Sequence, residues 1–375
     1  MEVYFFENEN PFRNSSGGVM SYLINLSNYL QGKNIRTILL GAGKFSSDDK
    51  TNLFSNVINI SPQINTSNFQ YILQLFKKLP RLTFNKNIII HAQRPDMIIP
   101  AVLRFQYKYL VVSLHGAHDL AVYDKKGFLQ GMIYSFLQSI AFLAVDRFIA
   151  VDEATRQHYI NLYPWAKNKI KMIPIAVCID KFHPMDKGKL RDEYAFDKKD
   201  KIIVFVGRIE KEKNIQMLID SFRIVKKNIV NAKLIIVGDG KDKQKMIAMA
   251  NQMQIKDVIF LGEVSNDDIP KILNCADVFA FCSLYEGSPT VIKEALACDL
   301  PIVSVDVGDV KSVINHIKGC YISERNIEDF SAKLMRVLNS EACFNGREKS
   351  LLFRNDHIGQ KTLDIYKVVA GDFCG

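Results

Sequence analysis

"DVFAFCSLYEGSPTVIKEALACDLPIVSVD", residues 277–306, places an apolar β-rich run, a short loop, a helical segment and a second apolar run in that order. This succession builds a parallel α/β sheet. Ser288 reads as an N-cap and Pro289 as the first helical residue, because Ser accepts a bond from an orphan amide and Pro lacks the N–H that would go unpaired there. Val291, Ile292, Ala295 and Leu296 then share the buried side, while Thr290 and Glu294, four apart, share another. Glu286 and Gly287 stand in the loop ahead of the helix. A loop at the carboxyl end of a strand, facing a helix start, is where such sheets bind anionic ligands.

The same alternation extends outward in both directions. Upstream, "KIIVFVGR", "KLIIVGDG" and "VIFLG" read as strands, with helices starting at Asn214, Lys241 and Asp267. In the first half, "VYFF", "RTILLG", "NIIIHA", "YLVVSLHG" and "RFIAVD" are apolar runs bounded by turn residues, and "SSGGVMSYLINLSNYLQGKN" is a glycine-rich turn opening a helix. The pattern breaks at "KMIPIAVCIDKFHP", and the charged stretch "MDKGKLRDEYAFDKKDK" reads as the linker. Two Rossmann-like domains in tandem result, with the cleft between them as the default binding site. Their expected limits are 1–184 with a last helix at 357–375, and 185–356.

Composition narrows the function. At 375 residues, 48% hydrophobic and 24% charged, the chain suits two soluble globular domains. Its start, "MEVYFFENENPF", lacks the basic and apolar regions of a signal peptide. The most apolar long stretch, "YSFLQSIAFLAVDRFIAV", is interrupted by Asp146 and Arg147, which argues against a transmembrane helix. Seven scattered cysteines without a C-x-x-C pair indicate reduced thiols in a cytoplasmic protein, and neither they nor the seven histidines outline a metal site. The net charge is +9, and between residues 51 and 110 the only acidic side chain is Asp96, against Lys77, Lys78, Arg81, Lys86, Arg94, Arg104 and Lys108. "NFQYILQLFKKLPRL" in that window has the composition of a segment lying on an anionic membrane leaflet; an ordinary solvated helix face is the competing reading. No nucleic-acid-binding module is present, so nucleic acid is not expected as a partner.

"FVGRIEKEKNIQMLI" follows a strand with Gly207 in the turn and Arg208 and Lys213 on a loop running into a helix. That arrangement cradles a diphosphate. Glu210, Lys211 and Glu212 beside them keep open a merely solvated loop.

Taken in order, "VGRIEKEKNIQMLIDSF", "KLIIVGDG" and "VIFLGEVSNDDIPKILNCADVFAFCSLYEGSPTVIKEALACDLPIVSVDVGDVKSVI" resemble the retaining glycosyltransferases of the GT-B fold, family 4, whose signature is the E-x7-E element spanning Glu286 to Glu294. "SSGGVMSYLINLSNYL", "HAQRPDMIIPAVLRF", "VVSLHG" and "FIAVDEATRQHYINLY" fit the first half of that family more loosely. The resemblance implies two Rossmann-like domains facing each other across a cleft, with the C-terminal helix returning to the first. It implies that Arg208 and Lys213 neutralise the donor diphosphate and that Glu294 binds the ribose hydroxyls. Glu286, with the amides of Gly287, Ser288 and Thr290, would hold the donor sugar. Gly17 and Gly18 would lie near the phosphate and acceptor, and His115 would approach the transferred sugar. Arg208, Lys213, Glu286 and His115 are thereby the catalytic candidates. There is no D-x-D motif, so a cofactor-free, metal-independent enzyme is expected. Departures are Ile175-Ala176 where Asn-Gly is common, Cys298-Asp299 after the signature helix, and no Asp directly after His115.

The implied activity is a hexosyltransferase-type transfer, with retention, from a nucleotide-diphosphate sugar to a hydroxyl of a saccharide or lipid-linked saccharide. Bacterial surface polysaccharide assembly is the expected setting, at the inner face of the cytoplasmic membrane. A nucleotide-sugar epimerase or phosphorylase on the same plan, or an inactive scaffold subunit, are the rival readings.

Overall fold

A computed structural model describes residues 1–11, 18–43, 53–62, 67–84, 88–104, 109–340 and 344–371. The chain divides into two compact units, Met1–Ala176 with Asn355–Gly375, and Val177–Arg354.

The first unit carries β1 (Glu2–Phe6), β2 (Arg36–Ala42), β3 (Asn56–Ser61), β4 (Ile88–Ala92), β5 (Tyr109–Leu114), β6 (Arg147–Ala150) and β7 (Ile170–Met172). They form one parallel sheet in the order β3-β2-β1-β4-β5-β6-β7. Its central strands are largely apolar because both faces are covered: Tyr4 and Phe6 enter one core, Val3 and Phe5 the other. The second unit repeats the plan with β8 (Lys201–Val206), β9 (Ala232–Val237), β10 (Val258–Gly262), β11 (Val278–Phe281), β12 (Ile302–Val305) and β13 (Tyr321–Ser323). Its order is β10-β9-β8-β11-β12-β13, again all parallel. In both sheets the strand order reverses once, between β1 and β4 and between β8 and β11. Such a reversal opens a crevice outside the carboxyl ends of the strands.

The unit limits lie upstream of the expected 184/185 and 356/357. Val177 N–H donates to Phe353 O at 2.8 Å, and Phe182 joins the core of the second unit. Arg347 locks this segment in place through the carbonyls of Ile179 and Phe182. The charged stretch expected as a linker instead contains the short helix Lys187–Glu193, whose Arg191 is buried against Asp277 and the Cys275 carbonyl.

The last helix, Asn355–Ala370, packs on the helix Gly18–Gln31 of the first unit. Gly359 permits this approach, because a Cβ there would fall 2.4 Å from the Tyr29 ring. Tyr29 Oη donates to Gln360 Oε1 at 2.6 Å and Asn355 Nδ2 to Asn25 O at 2.8 Å. Deeper in, Tyr366 Oη is 2.6 Å from His91 Nδ1, and His91 Nε2 is 2.8 Å from Ser113 Oγ. Burial pushes the His91 imidazole down to about 3, so it is neutral in this chain of bonds.

Tyr366→Ala should therefore cost the first unit about 3–5 kcal/mol in urea unfolding, as for a buried aromatic deletion. Tyr366→Phe should cost about 1–3 kcal/mol by stranding His91 Nδ1. An alanine variant as stable as the parent would show that the helix is not part of this core.

Candidate active site

The second unit gathers its charged loops at the reversal point of its sheet. After β8 come Gly207 and Arg208, then a 3-10 turn over Lys211–Lys213, and Asn214 in the left-handed region (φ 53°) starts the helix Ile215–Asn228. After β11, Leu284 N–H donates to Glu212 O at 2.7 Å and Cys282 Sγ lies 3.2 Å from Lys213 O. These bonds bring the two loops together, and Lys213 Nζ forms an ion pair with Glu286 Oε1 in which both side chains are largely buried. Arg208 is different: its side chain is 73% exposed, with Glu210 at 3.7 Å, so its charge is available to a ligand.

The helix of the signature runs Thr290–Ala297. Pro289, not Ser288, occupies its N-cap, and no side chain caps it. Ser288 fails as a cap because its hydroxyl is engaged elsewhere: it donates to Asp309 Oδ2 at 2.6 Å and accepts from Lys293 Nζ at 2.6 Å. Lys293 is wholly buried and pairs with Asp309 Oδ2 at 2.7 Å, with the Phe353 ring 5.3 Å from its ammonium. The Asp309 N–H also donates to Gly287 O at 2.9 Å. Gly308, at φ +55°, makes this contact possible, since a Cβ there would lie 2.0 Å from Gly287 O. The Glu286–Pro289 loop is thus fixed from both sides, leaving the amides of Gly287, Ser288 and Thr290 at the helix start.

Glu294 lies one turn into the helix and is half-buried. Burial pushes its carboxyl up to about 7, with Lys181 and Lys293 pulling weakly the other way.

Lys293 and Asp309 went unnoticed in the sequence. Their available signal was a lysine set between Ile292 and Ala295 on the inward side of an apolar helix.

In the first unit, Gly18 is the first residue of the helix Gly18–Gln31 and is exposed, while Gly17 lies outside the described residues. His115 follows β5 and donates from Nε2 to Gln93 Oε1 at 3.0 Å, with its ring edge-on to Tyr22. Burial pushes it down to about 4, so it presents a neutral ring. Beside it, at the β1/β4 reversal, Arg94 pairs in bidentate fashion with Asp96 at 3.0 and 2.9 Å and lies over the Tyr134 ring. Glu7 follows β1, and burial together with Glu9 pushes its carboxyl up to about 8, against the pull of Arg94. His118 Nε2 is buried without a hydrogen-bond partner, while Asp119 accepts from His158 at 2.8 Å and Asp124 is exposed. Of this second cluster at a strand-end crevice, His115 and the His118, Asp119 and Asp124 that follow it stood out in the sequence, whereas Glu7 and the Arg94–Asp96 pair did not. Among the described residues, no group of three or more His, Cys, Asp or Glu side chains could hold a metal ion.

Residues 186–350 match the family model for "Glycosyl transferases group 1", and residues 16–181 match that for "Glycosyltransferase Family 4". The chain belongs to the GT-B glycosyltransferases of family 4. It is 35% identical over 141 residues to an uncharacterized glycosyltransferase of Methanocaldococcus jannaschii, a match covering 37% of this chain and 34% of that one. It is 27% identical over 277 residues to the UDP-Gal:alpha-D-GlcNAc-diphosphoundecaprenol alpha-1,3-galactosyltransferase of Escherichia coli, covering 72% of this chain and 70% of the relative. Among solved structures, Anabaena HepE in complex with UDP-glucose superposes with a TM-score of 0.75 at 17% identity, over 98% of this chain and 100% of that one. At that identity the likeness shows the shared fold. Within this glycosyltransferase, Lys213–Glu286 and the E-x7-E helix occupy the reversal point of the second sheet.

Lys293→Met should destabilise the second unit by about 3–5 kcal/mol, because it leaves the Asp309 carboxylate buried and unpaired. Lys293→Met/Asp309→Leu should recover most of that loss in urea unfolding. A single variant within 1 kcal/mol of the parent would mean that the pair does not hold the loop.

Proposed function

We propose that the chain transfers a sugar from a nucleotide-diphosphate sugar to a hydroxyl of a lipid-linked saccharide, retaining the anomeric configuration and using no metal. The observation that carries this reading is the convergence of Arg208, Lys213, Glu286 and the start of the Thr290–Ala297 helix on one strand-order reversal. Cations and helix-start amides there suit a diphosphate, and carboxylates suit sugar hydroxyls. The relative from Escherichia coli acts, by its name, on a UDP-sugar and a diphosphoundecaprenol-linked sugar. That supports the substrate class.

In this reading Arg208 and Lys213 stabilise the leaving diphosphate. Glu286 orients the donor sugar with the amides of Gly287, Ser288 and Thr290, and Glu294 accepts from the ribose hydroxyls. The acceptor oxygen bonds to the anomeric carbon as the bond from that carbon to the diphosphate oxygen breaks. The acceptor proton passes to the leaving diphosphate on the same face. The negative charge of Glu286 favours oxocarbenium character at that carbon. Its pairing with Lys213 makes it a poor covalent nucleophile. Gly17, Gly18 and His115 are assigned to the phosphate and the transferred sugar on the family resemblance alone.

Calorimetry with UDP, GDP and ADP sugars should show one saturable class without added metal, with Arg208→Ala and Glu294→Ala each weakening it tenfold or more, about 1.4 kcal/mol. A folded protein that binds none of them overturns the reading.

The pH dependence follows from Glu294. A carboxyl raised by burial is favoured protonated in the fold, so its contribution to stability is full in the acidic range and is lost as pH rises through about 7. The ionised carboxylate accepts from ribose hydroxyls with both oxygens and more strongly than the protonated form, which keeps one oxygen as a donor, so donor affinity should run the opposite way. It should be about tenfold weaker at pH 6 than at pH 8, with proton release on binding. Glu294→Gln should flatten that profile; a parent affinity independent of pH would remove the ribose role.

A further inference from the structure

The helix Phe128–Ala144 has 17 residues and not one charge. Such a composition belongs to a helix enclosed on all sides. Here only Gly131, Tyr134, Gln138, Ala141 and Phe142 are buried in the first unit. The opposite side presents Leu129 (70% exposed), Met132, Ile133, Phe136 (66% exposed) and Leu143 to the outside, a stripe at helical spacing. Phe128 extends it at the helix start.

The surroundings of this stripe are of one sort. The helix packs on Ile99–Arg104, which packs in turn on Asn68–Lys78, and all three back onto the same core cluster and so form one layer. The neighbours add exposed Phe69, Leu73 and Leu103, together with the exposed cations Lys77, Arg81 and Arg104. Along residues 51–110 the only carboxylate is Asp96, which is buried and paired with Arg94. At the other end, Lys169 Nζ binds the carbonyls of Leu143 and Val145. Next to it stand exposed Lys167 and Trp165, Trp165 lying edge-on to Tyr163, which stacks on Phe142 of the helix. Exposed Asp124 on the preceding helix and Glu153 on the helix Glu153–Leu162 are contrary charges. No helix among the described residues is long and apolar enough to cross a membrane.

We propose that this layer docks on an anionic lipid bilayer, with the helix Phe128–Ala144 lying in the plane of the interface and its outward stripe among the acyl chains. An uncharged stripe edged by lysine, arginine and tryptophan is the pattern of an interfacial helix, and the basic edge matches anionic headgroups. The segment at 68–82, singled out in the sequence, supplies the basic edge and not the inserted stripe. The surface makes no use of the donor site, so each stands or falls without the other.

Trp165 is the only tryptophan in the chain, so its fluorescence reports docking without a label. The full chain is titrated with vesicles of phosphatidylcholine alone, or of phosphatidylcholine and phosphatidylglycerol, with and without brominated acyl chains, while sedimentation measures the bound fraction. Binding to the anionic vesicles should be at least tenfold stronger than to neutral ones, and the brominated chains should quench Trp165. Ile133→Gln/Phe136→Gln should lose tenfold or more while keeping the circular dichroism of the parent. Lys77→Gln/Arg81→Gln/Arg104→Gln should lose most of the preference for anionic lipid. Absence of binding, equal binding to both vesicle types, or an Ile133→Gln/Phe136→Gln variant that binds like the parent overturns the proposal. So does light scattering that finds a dimer split by that variant without any vesicle binding, which would make the face a contact between copies.

Discussion

The buried pair between Lys293 and Asp309 is the constraint on which the geometry of the second unit's site depends. Burying two charges is costly, and a well-packed apolar pair would serve stability as well or better. What the ions supply is direction. Lys293 reaches from the signature helix to Ser288 and Asp309, and the Asp309 amide reaches back to Gly287. The loop is therefore tied to the helix behind it and to the strand end beside it. Glu286 is then held against Lys213 from the β8 side, so three strand ends share one rigid loop. A site binding a diphosphate needs this preorganisation, because the charges must already point at the ligand when water leaves.

This explains why the sequence was legible in some places and not in others. The central strands were plain, since burial on both faces makes them continuous apolar runs such as "IIVFV" and "LIIV". β3, β7 and β13 gave no such signal. Each sits at a sheet edge and is partly exposed, β7 and β13 span only three residues each, and "NVINIS" is interrupted by asparagine. The helix start shows the same limit. Ser-Pro is a sound N-cap signal, yet Ser288 is taken by a lysine and an aspartate that lie 5 and 21 residues away. Local preference lost to a longer-range polar network, which spacing along the chain does not reveal.

The two units use the same strand order for different electrostatic purposes. At the second reversal point Arg208 is exposed, suited to an incoming anion. At the first, Arg94 is already satisfied by Asp96, Glu7 is pushed towards neutrality, and His91 and His115 are held uncharged. A crevice lined by neutral donors and acceptors suits polyhydroxylated groups better than phosphate, because hydroxyls pair with amides, imidazoles and protonated carboxyls without a net charge to offset. Gln93 is buried behind this lining and spends its carbonyl on His115 and its amide, at 3.4 Å, on the His91 carbonyl.

The helix Phe128–Ala144 shows why composition alone misleads in the other direction. Read as a sequence, an uncharged run ending at Asp146-Arg147 is either a buried helix or too short a span. Neither reading provides for a helix packed on protein along one side and exposed along the other. Here the small and aromatic residues Gly131, Tyr134, Ala141 and Phe142 face inward and satisfy the core, with Phe142 stacked between Phe148 and Tyr163. Leu129, Met132, Ile133, Phe136 and Leu143 are left over on the outside. Packing could have been achieved with polar residues at every one of those outward positions, as on the helix Glu153–Leu162 beside it, where Glu153, Arg156 and Gln157 take the outer side. An apolar choice repeated at five positions of one stripe therefore answers to something outside the unit's own fold.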